Sequence, residues 1–176
     1  RNYNPNTYKS FNYKLSLYKS PTDKKAYLVF DSKIEDDFVK FLEKNKDKIL
    51  WWWQNGNEHM ALNFGVKYNG GSTFQPDFLV MFKNGKLGIY DTKASGFQED
   101  DNKLKAEALQ CYIKEENKKK KKDLLVGGIV IKRGEHFLIN SDEIYTSFGR
   151  NADRVEDASR NNKNKDKNQG WQYLEF

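Results

Sequence analysis

Apolar and polar positions in the N-terminal part of the chain predict two strands followed by a helix. Alternation over residues 13–17 indicates a short strand, and residues 26–30 indicate a second one. Asp31 or Ser32 can cap a helix, with Glu35 three positions after Ser32 to complete a capping box, so we predict a helix over about residues 33–48. The apolar face of this helix recurs at helical spacing and consists of Ile34, Phe38, Phe41, Leu42 and Ile49.

The middle of the chain predicts three strands, the last two forming a hairpin. Residues 59–68 indicate a strand that ends in a turn at residues 69–71. Two apolar segments, 74–82 and 86–93, are separated by a short polar loop, which predicts the hairpin. Three adjacent rings at Trp51–Trp53 cannot share one face, so burial of one or two of them is a better prediction than stacking on bases.

A second helix and further strands follow the hairpin. Acidic residues at 99–101 favour a helix N-terminus, and the predicted helix continues to about residue 118. Its apolar face would consist of Leu104, Ala108, Leu109, Tyr112 and Ile113. Residues 124–131 are a nearly continuous apolar run, typical of a strand buried on both faces, and residues 137–139 indicate another strand. The order helix, three strands, helix, strand predicts an α/β fold with a mixed central sheet flanked by helices.

The polarity of the C-terminal part sets the expected domain boundary. Residues 149–176 are mostly polar, which predicts weak order, although the apolar side chains within Trp171–Phe176 could dock back onto the core. We therefore expect a single domain over residues 1–148. Its core should occupy about residues 32–132, with added N-terminal strands within residues 13–30.

Composition indicates which binding partners and which cellular compartment to expect. The 176 residues carry a formal charge of +6, which suits a polyanionic partner, although 25 acidic residues against 31 basic ones make the surface mixed. Cys111 is the only cysteine, which excludes an internal disulfide and a cysteine-based zinc site and indicates a reducing, cytoplasmic compartment. No apolar stretch is long enough to span a membrane, and no signal-peptide pattern is present. Because the first residue is Arg1 and not Met, we expect a fragment of a longer protein.

Two acids and a lysine fall within the predicted hairpin. Asp77 follows Pro76 in its first strand, and Asp91 and Lys93 stand two positions apart in its second. Residues i and i+2 of a strand point to the same face, so Asp91 and Lys93 can address one pocket. Two carboxylates can hold a hard divalent cation, and an ammonium can orient or stabilise the attacking water, as phosphodiester hydrolysis requires.

The position of Asp77 depends on the register of the hairpin, because a slip of one residue moves its side chain to the other face. A two-residue turn would place Phe78 opposite Asp91. A three-residue loop over residues 83–85, with Gly85 in the left-handed conformation as a bulge, places Asp77 opposite Asp91 instead. We predict the three-residue loop, since only this register builds a metal site.

The arrangement resembles the PD-(D/E)xK nucleases, and more narrowly the endonuclease domain at the C-terminus of type III restriction subunits and related helicase-fused proteins. The resemblance covers about residues 32–131. The residues that carry it are Ser32, Glu35, Trp53 to Asn55, Phe74-Gln75-Pro76-Asp77-Phe78-Leu79-Val80, Asn84-Gly85-Lys86, Asp91-Thr92-Lys93, Asp101 and Lys105. It implies a restriction-endonuclease-like αβββαβ core.

The same resemblance implies cleavage of DNA with Mg²⁺, for which Mn²⁺ could substitute. Asp77 and Asp91 would ligate the ion, and Lys93 would position the nucleophilic water. It further implies a fused or associated helicase and ATPase region, and a methyltransferase subunit, as partners. The chain departs from that subgroup at Asp91, where Glu is favoured, and the shorter side chain changes the expected metal geometry.

Several further candidates have both a functional and a structural interpretation. In the functional interpretation Glu35 is a third metal ligand, as an acid of this helix is in some relatives. In the structural one it is only the partner in a capping box. Glu58 is its rival for that position or a solvated turn residue. Gln110 supports the site, as a helical Gln does in related nucleases, or is a polar residue on the helix surface. The basic run after the second helix contacts nucleic-acid phosphates or is a solvated helix end, and comprises Lys118, Lys119 and Lys120.

Three hypotheses of function follow from these features. The first is a DNA endonuclease domain within a larger ATP-driven restriction or repair protein. The second is a module that keeps the nuclease fold without catalysis and binds nucleic acid or another subunit, in which case manganese binding would be lost. The third is a sheet domain in which the acids and the lysine form a cross-strand ion pair by accident, and such a domain would show no salt-dependent DNA binding.

Overall fold

In a computed structural model of the chain, residues 8–55, 64–94, 99–146 and 170–176 are described. These residues form ten strands and two α-helices. The strands are β1 Lys9–Phe11, β2 Ala26–Leu28, β3 Ile49–Gln54, β4 Val66–Tyr68, β5 Ser72–Phe74, β6 Phe78–Phe82, β7 Leu87–Thr92, β8 Leu125–Arg133, β9 His136–Asn140 and β10 Trp171–Tyr173. The helices are α1 Lys33–Lys44 and α2 Glu99–Lys120, with a short 3₁₀ turn at Asn69–Gly71.

Six of the strands form one mixed sheet in the order β10-β9-β8-β7-β6-β3. Within it only β7 and β8 run parallel, and α2 makes the crossover between them. Alternate residues of the sheet pack against different helices. Phe78 and Tyr90 contact Phe38 of α1, while Leu79 and Ile89 share a cluster with Leu109 of α2. The expectation of an α/β fold with a mixed central sheet between helices is confirmed.

Helix α1 begins as predicted and ends earlier than predicted. Ser32 accepts a hydrogen bond from the Glu35 N–H, so it caps the helix as predicted. The Glu35 carboxylate accepts the Ser32 hydroxyl at 2.8 Å and the N–H of Asp31, not that of Ser32, so the predicted capping box forms only in part. The helix ends at Lys44, where Asn45 donates its N–H to the carbonyl of Leu42. The predicted extension to residue 48 is therefore wrong, because the Asn45 cap stops the helix before its apolar face is complete.

The three tryptophans form the centre of β3, a strand that the hydrophobic pattern did not predict. Trp52 is fully buried on the α1 side, whereas Trp51 and Trp53 point to the α2 side and are partly exposed. The burial of only one or two rings is confirmed, but aromatic residues that alternate between faces are also typical of a strand. The Ile49 side chain, assigned above to the first helix, belongs to this strand.

The predicted strand over residues 59–68 is correct only in its last part. Residues 59–63 lie outside the described residues, and β4 covers Val66–Tyr68. Strand β4 pairs with β5 in a separate two-stranded sheet, so the strand next to the hairpin in the main sheet is β3 instead. The predicted segment 74–82 is likewise divided into β5 and β6, because Pro76 has no N–H to donate to a ladder.

The N-terminal residues cover the outer edge of β3. Strands β1 and β2 pair with each other, and the predicted strand over residues 13–17 is reduced to a single bridge between Ser16 and Trp52. The Glu43 carboxylate of α1 holds this segment by accepting the N–H of Leu15 at 2.9 Å and the indole N–H of Trp52 at 2.8 Å. One carboxylate thus joins the first helix, the N-terminal segment and β3.

In the second half of the chain, the observed elements agree closely with the predicted ones. Helix α2, β8 and β9 all lie where they are expected, but Leu104 is 41% exposed and does not belong to the buried face of α2. The main chain of residues 147–169 lies outside the described residues, and the predicted weak order falls there. None of the helices in the described part of the chain is long and apolar enough to cross a membrane.

The last residues of the chain lie on the core. Strand β10 pairs with β9 at the edge of the sheet, and Leu174 donates its N–H to the carbonyl of Phe137 at 2.9 Å. The Phe176 ring packs against Phe41, Phe82 and Tyr90. The C-terminal residues therefore close the aromatic cluster beneath α1.

Candidate active site

Phe82 and Lys86 close the loop of the hairpin between β6 and β7, so the loop itself has three residues, 83–85. Phe82 donates its N–H to the carbonyl of Lys86 at 2.9 Å, and Gly85 donates to the carbonyl of Phe82 at 3.0 Å. Gly85 has a φ of +83°, which is the left-handed conformation of a bulge glycine. The predicted loop over residues 83–85 is confirmed.

At the other end of the hairpin, this loop fixes which residues face each other. The last ladder pair is Phe78 with Tyr90, so the next step in the same register sets Asp77 opposite Asp91. The register in which Phe78 faces Asp91 is excluded. Both carboxylates therefore lie at the open end of the hairpin, where the predicted metal site requires them.

The Asp77 side chain continues the ladder that Pro76 interrupts. Its Oδ2 accepts the backbone N–H of Thr92 at 2.7 Å and the Thr92 hydroxyl at 2.6 Å. The N–H of Thr92 would otherwise pair with the main chain opposite, so the carboxylate takes the place of a strand carbonyl. One oxygen of Asp77 is thus engaged, and Oδ1 has no hydrogen-bond donor among the described residues.

Asn55, directly after β3, holds the main chain around Asp77. Its N–H donates to the carbonyl of Asp77 at 2.7 Å, and its side-chain amide donates to Pro76 at 2.8 Å and to Phe64 at 2.6 Å. The amide oxygen also accepts the N–H of Phe64 at 3.0 Å. A positioning function for Asn55 was not predicted, and the only sequence signal for it is a polar residue at a strand end that precedes a turn.

Asp91 and Lys93 form a close pair in a buried place. The Asp91 side chain is 2% exposed, and the Lys93 ammonium lies 2.7 Å from its Oδ2. Oδ2 therefore has the ammonium as a close ion-pair partner, and it accepts no other hydrogen bond from the described residues. A buried carboxylate whose only close partner is a cation is suited to an ion, and a divalent ion here would share the carboxylate with the ammonium.

The charges at this end of the hairpin influence one another. Burial first, and then the negative charge of Asp77, raise the pKa of Asp91 to about 7, against the opposing effect of Lys93 and Lys105. Burial acts to lower the pKa of Lys93, but the carboxylates of Asp91, Asp77 and Glu35 outweigh it and raise that pKa above its ordinary value. Lys93 therefore stays charged at neutral pH, whereas Asp91 exchanges its proton near neutrality.

The metal-free protein is expected to lose stability as the pH rises from about 4 to about 7. Folded Asp91 keeps its proton up to a pKa of about 7, while the unfolded chain releases it at 3.8, so folding takes up a proton in this window. The stabilisation is fully present below the pKa of Asp91 in the unfolded chain, and it is lost as the pH rises through the pKa of Asp91 in the folded protein. Urea unfolding in metal-free buffer at about pH 5 and about pH 8 measures the difference.

The matched control for this pH dependence is Asp91→Asn, which carries no titrating proton at that position. Its free energy of unfolding should change less over the same window than that of the wild-type protein. Equal pH dependence in the two proteins would contradict a raised pKa at Asp91.

Glu35 bonds the residues at the start of α1 and also lies within electrostatic reach of the site. Its carboxylate accepts the Ser32 hydroxyl and the Asp31 N–H, the latter at 3.3 Å. Burial raises the pKa of Glu35, the Ser32 hydrogen bond opposes this, and the charge of Asp77 raises it further. The described residues contain no cluster of three or more acidic, histidine or cysteine side chains placed to hold an ion. Glu58, the rival candidate, lies outside the described residues.

Gln110 is buried and completes an edge of the sheet. It is 7% exposed, and its amide donates to the carbonyl of Gly127 at 3.0 Å, where β8 has no β9 partner. Asn117, two turns further along α2, bonds the main chain of Leu124 and Leu125 on the same edge. The interpretation of Gln110 as a surface residue is wrong, because its side chain is buried and bonds a strand carbonyl of β8.

The basic run lies at the opposite end of α2 from the acids. Lys105 near the start of the helix is close enough to affect Asp91, and Lys118 follows it by about 20 Å along the axis. Lys118 and Lys120 are exposed, and Lys119 pairs with Glu116 at 2.8 Å. These lysines are too distant to contact the same phosphate as the acids.

A second group of side chains borders the site from the side of β4. The Lys105 ammonium forms an ion pair with the Asp101 carboxylate at 2.5 Å and lies 5.8 Å from the centre of the Tyr68 ring. The Tyr68 hydroxyl is 3.4 Å from the Asp101 carboxylate. A cleft of about 890 Å³ lies elsewhere, beside Phe176. Asp77, Asp91 and Lys93 do not line it.

The donors at the open end of the hairpin fit a hard divalent cation in their chemistry. Asp77 offers one oxygen without a donor, and Asp91 offers a buried one, and such ions prefer carboxylate oxygens. Comparison of the chain with protein-family models, with curated proteins and with solved structures gives no match. An assignment of function therefore depends on the geometry of these residues.

Proposed function

We propose that the chain is a metal-dependent endonuclease domain that hydrolyses phosphodiester bonds in DNA, with Mg²⁺ as cofactor and Mn²⁺ as a substitute. The observation that carries this proposal is the buried Asp91 carboxylate, with Lys93 at 2.7 Å and Asp77 in the facing position of the hairpin. A buried acid with a pKa near neutrality beside a lysine is unusual in a purely structural strand.

The order of elements supports the same proposal. In the main sheet, α1 is followed by β3, the β6–β7 hairpin, α2 and β8, with β7 and β8 parallel. This is the order expected of a restriction-endonuclease-like αβββαβ core, in which the acids lie at one end of the hairpin. The remaining strands would then be additions at the edges.

The chemistry assigned to each residue follows from its surroundings. Asp77 and Asp91 would hold the ion, which supplies Lewis acidity for the phosphate and for the attacking water. Lys93 keeps its proton at neutral pH, so it acts as a cation that orients water or stabilises charge on the phosphate, and not as a base. Burial and the charge of Asp77 raise the pKa of Glu35, so the charge that Glu35 carries near Asp77 depends on pH.

The proposed substrate and partners follow from charge and from the resemblance. The net charge of +6 favours a polyanion, and lysines at the far end of α2 are available for phosphates several base pairs from the cleavage position. We further propose that the domain works within a larger restriction or repair protein, with an ATP-driven helicase region and an associated methyltransferase subunit.

Cleavage by the purified chain is the direct test of this function. Supercoiled DNA should be nicked or cut with Mg²⁺ or Mn²⁺, and a chelator should stop the reaction. Asp77→Asn should lower the rate by about a hundred-fold, because the amide keeps an oxygen but loses the charge that attracts the ion.

Asp47→Asn is the matched control, since Asp47 is exposed in the turn before β3, at the opposite end of the hairpin from Asp77 and Asp91. It should cleave at the wild-type rate. Wild-type cleavage by Asp77→Asn would refute the assignment of the site.

One observation favours a second candidate function. The described residues bring together two carboxylates and no third ligand, which also suits a nuclease-fold module that binds nucleic acid or a subunit without catalysis. Calorimetry with Mn²⁺ separates the two. An intact site should bind the ion even when cleavage needs the rest of the protein, and a degenerate site should not bind it.

A further inference from the structure

The middle residue of the Asp91-Thr92-Lys93 triplet is bound to the other strand of the hairpin. Thr92 is 6% exposed, and both its N–H and its hydroxyl donate to Oδ2 of Asp77, at 2.7 Å and 2.6 Å. Hydrogen bonds to an ionised carboxylate are shorter and stronger than neutral ones. Oδ2 therefore has two strong donors, and the Asp77 side chain is held in one orientation.

The main chain of Asp77 is held separately. The Asn55 N–H donates to the Asp77 carbonyl at 2.7 Å, and the Asn55 amide donates to the preceding carbonyl of Pro76 at 2.8 Å. Rotation of the carboxylate would thus break bonds to Thr92, and displacement of the main chain would break bonds to Asn55. Asp77 is fixed by one residue at its backbone and by another at its side chain.

We infer that Thr92 is a positioning residue, which holds Asp77 so that its Oδ1 alone is presented to a divalent cation. The inference rests on the proposed function, because it assigns Thr92 a purpose within the same site. Thr92 does not touch the ion or the substrate. It acts through Asp77, in the way that hydrogen-bond partners of ligating carboxylates and histidines orient those ligands in metal sites generally.

A structural interpretation of Thr92 makes a different prediction. Threonine is favoured in strands for its branched side chain, and its hydroxyl in a buried place needs an acceptor. If that were its only purpose, removal of the hydroxyl would change stability and leave the affinity for an ion unchanged. The two interpretations therefore differ in ion affinity and not in thermal stability.

The test is Mn²⁺ binding by calorimetry to the wild-type chain, Thr92→Val, Thr92→Ser and Thr73→Val. Valine keeps the branched shape and the backbone N–H and removes only the hydroxyl. Serine restores the hydroxyl, and Thr73→Val makes the same chemical change at an exposed strand position away from Asp77. Thermal melting of each variant without metal checks the fold.

Thr92→Val should bind Mn²⁺ about 10- to 100-fold more weakly than the wild-type chain, the usual range for loss of a residue that orients a ligand. Thr92→Ser should recover most of the affinity, and Thr73→Val should bind as the wild-type chain does. Unchanged affinity in a folded Thr92→Val overturns the inference and leaves the proposed function standing. Absence of Mn²⁺ binding by the wild-type chain overturns the metal site itself, and the inference with it.

Discussion

Lys93→Met is expected to lower DNA cleavage by about a thousand-fold, which exceeds the expected effect of Asp77→Asn because methionine offers no charge or donor in place of the ammonium. The same variant should still bind Mn²⁺ under alkaline conditions. Lys93 acts to lower the pKa of Asp91, so its removal raises that pKa further and lets protons compete with the ion near neutrality. Calorimetry at about pH 7 and about pH 9, beside cleavage at both values, measures the two effects separately.

The control for this prediction is Lys83→Met, in the loop at the other end of the same hairpin. It removes an equal charge from an exposed position and should leave both cleavage and ion binding unchanged. If Lys93→Met cleaved at the wild-type rate, the ammonium would have no part in the reaction. If its Mn²⁺ affinity stayed low under alkaline conditions, Lys93 would contribute to the shape of the site and not only to its charge.

The buried pair of Asp91 and Lys93 destabilises the folded protein, which is not expected of a pair with only a structural purpose. Asp91 is buried with the Lys93 ammonium as the close partner of one oxygen, and its ionisation destabilises the folded state above neutrality. Burial of Lys93 likewise disfavours its charge, and the surrounding carboxylates outweigh this effect and raise its pKa. A divalent ion at this position would relieve the repulsion between Asp77 and Asp91, so metal binding should stabilise the protein most where Asp91 is ionised.

The part of the site that depends on local geometry could be predicted from the sequence. A three-residue loop with Gly85 determines the register of its hairpin, and the register alone sets Asp77 opposite Asp91. Thr92 and Asn55 could not be assigned in this way. Their hydrogen bonds depend on where Pro76 interrupts the ladder and on which strand lies beside β6, and both are tertiary facts.

Two errors in the predicted fold, at Ile49 and at Trp51–Trp53, come from competition between helical and strand periodicity. Ile49 continues the spacing of the apolar face of α1, but the Asn45 cap ends that helix and makes Ile49 the first residue of β3. Trp51–Trp53 alternate between faces, a strand feature that is masked when all three residues are apolar. The assignment of Leu104 to a buried face shows the same limit, since spacing predicts a face but not how far the sheet extends beneath it.

The parallel pairing of β7 with β8 brings Asp91 to its place, and a single glycine makes that pairing possible. Gly127 lies opposite Ile89 with a φ of +138°, a conformation that residues with a side chain rarely adopt. A Cβ at this position would lie 1.9 Å from the carbonyl oxygen of Ile89. Because the obstacle is backbone, Gly127→Ala should lower the free energy of unfolding by more than about 4 kcal/mol, or prevent folding.

Gly134→Ala separates the effect of the close approach from that of the backbone conformation. Gly134 follows the same strand, has a φ of +55°, and has nothing within 4 Å of the position where a Cβ would stand. Its replacement should cost about 1 kcal/mol, the penalty of the left-handed conformation alone. Urea unfolding of the two variants measures the difference. Equal midpoints would mean that β7 and β8 can separate without loss, and Asp91 would then not owe its position to their close contact.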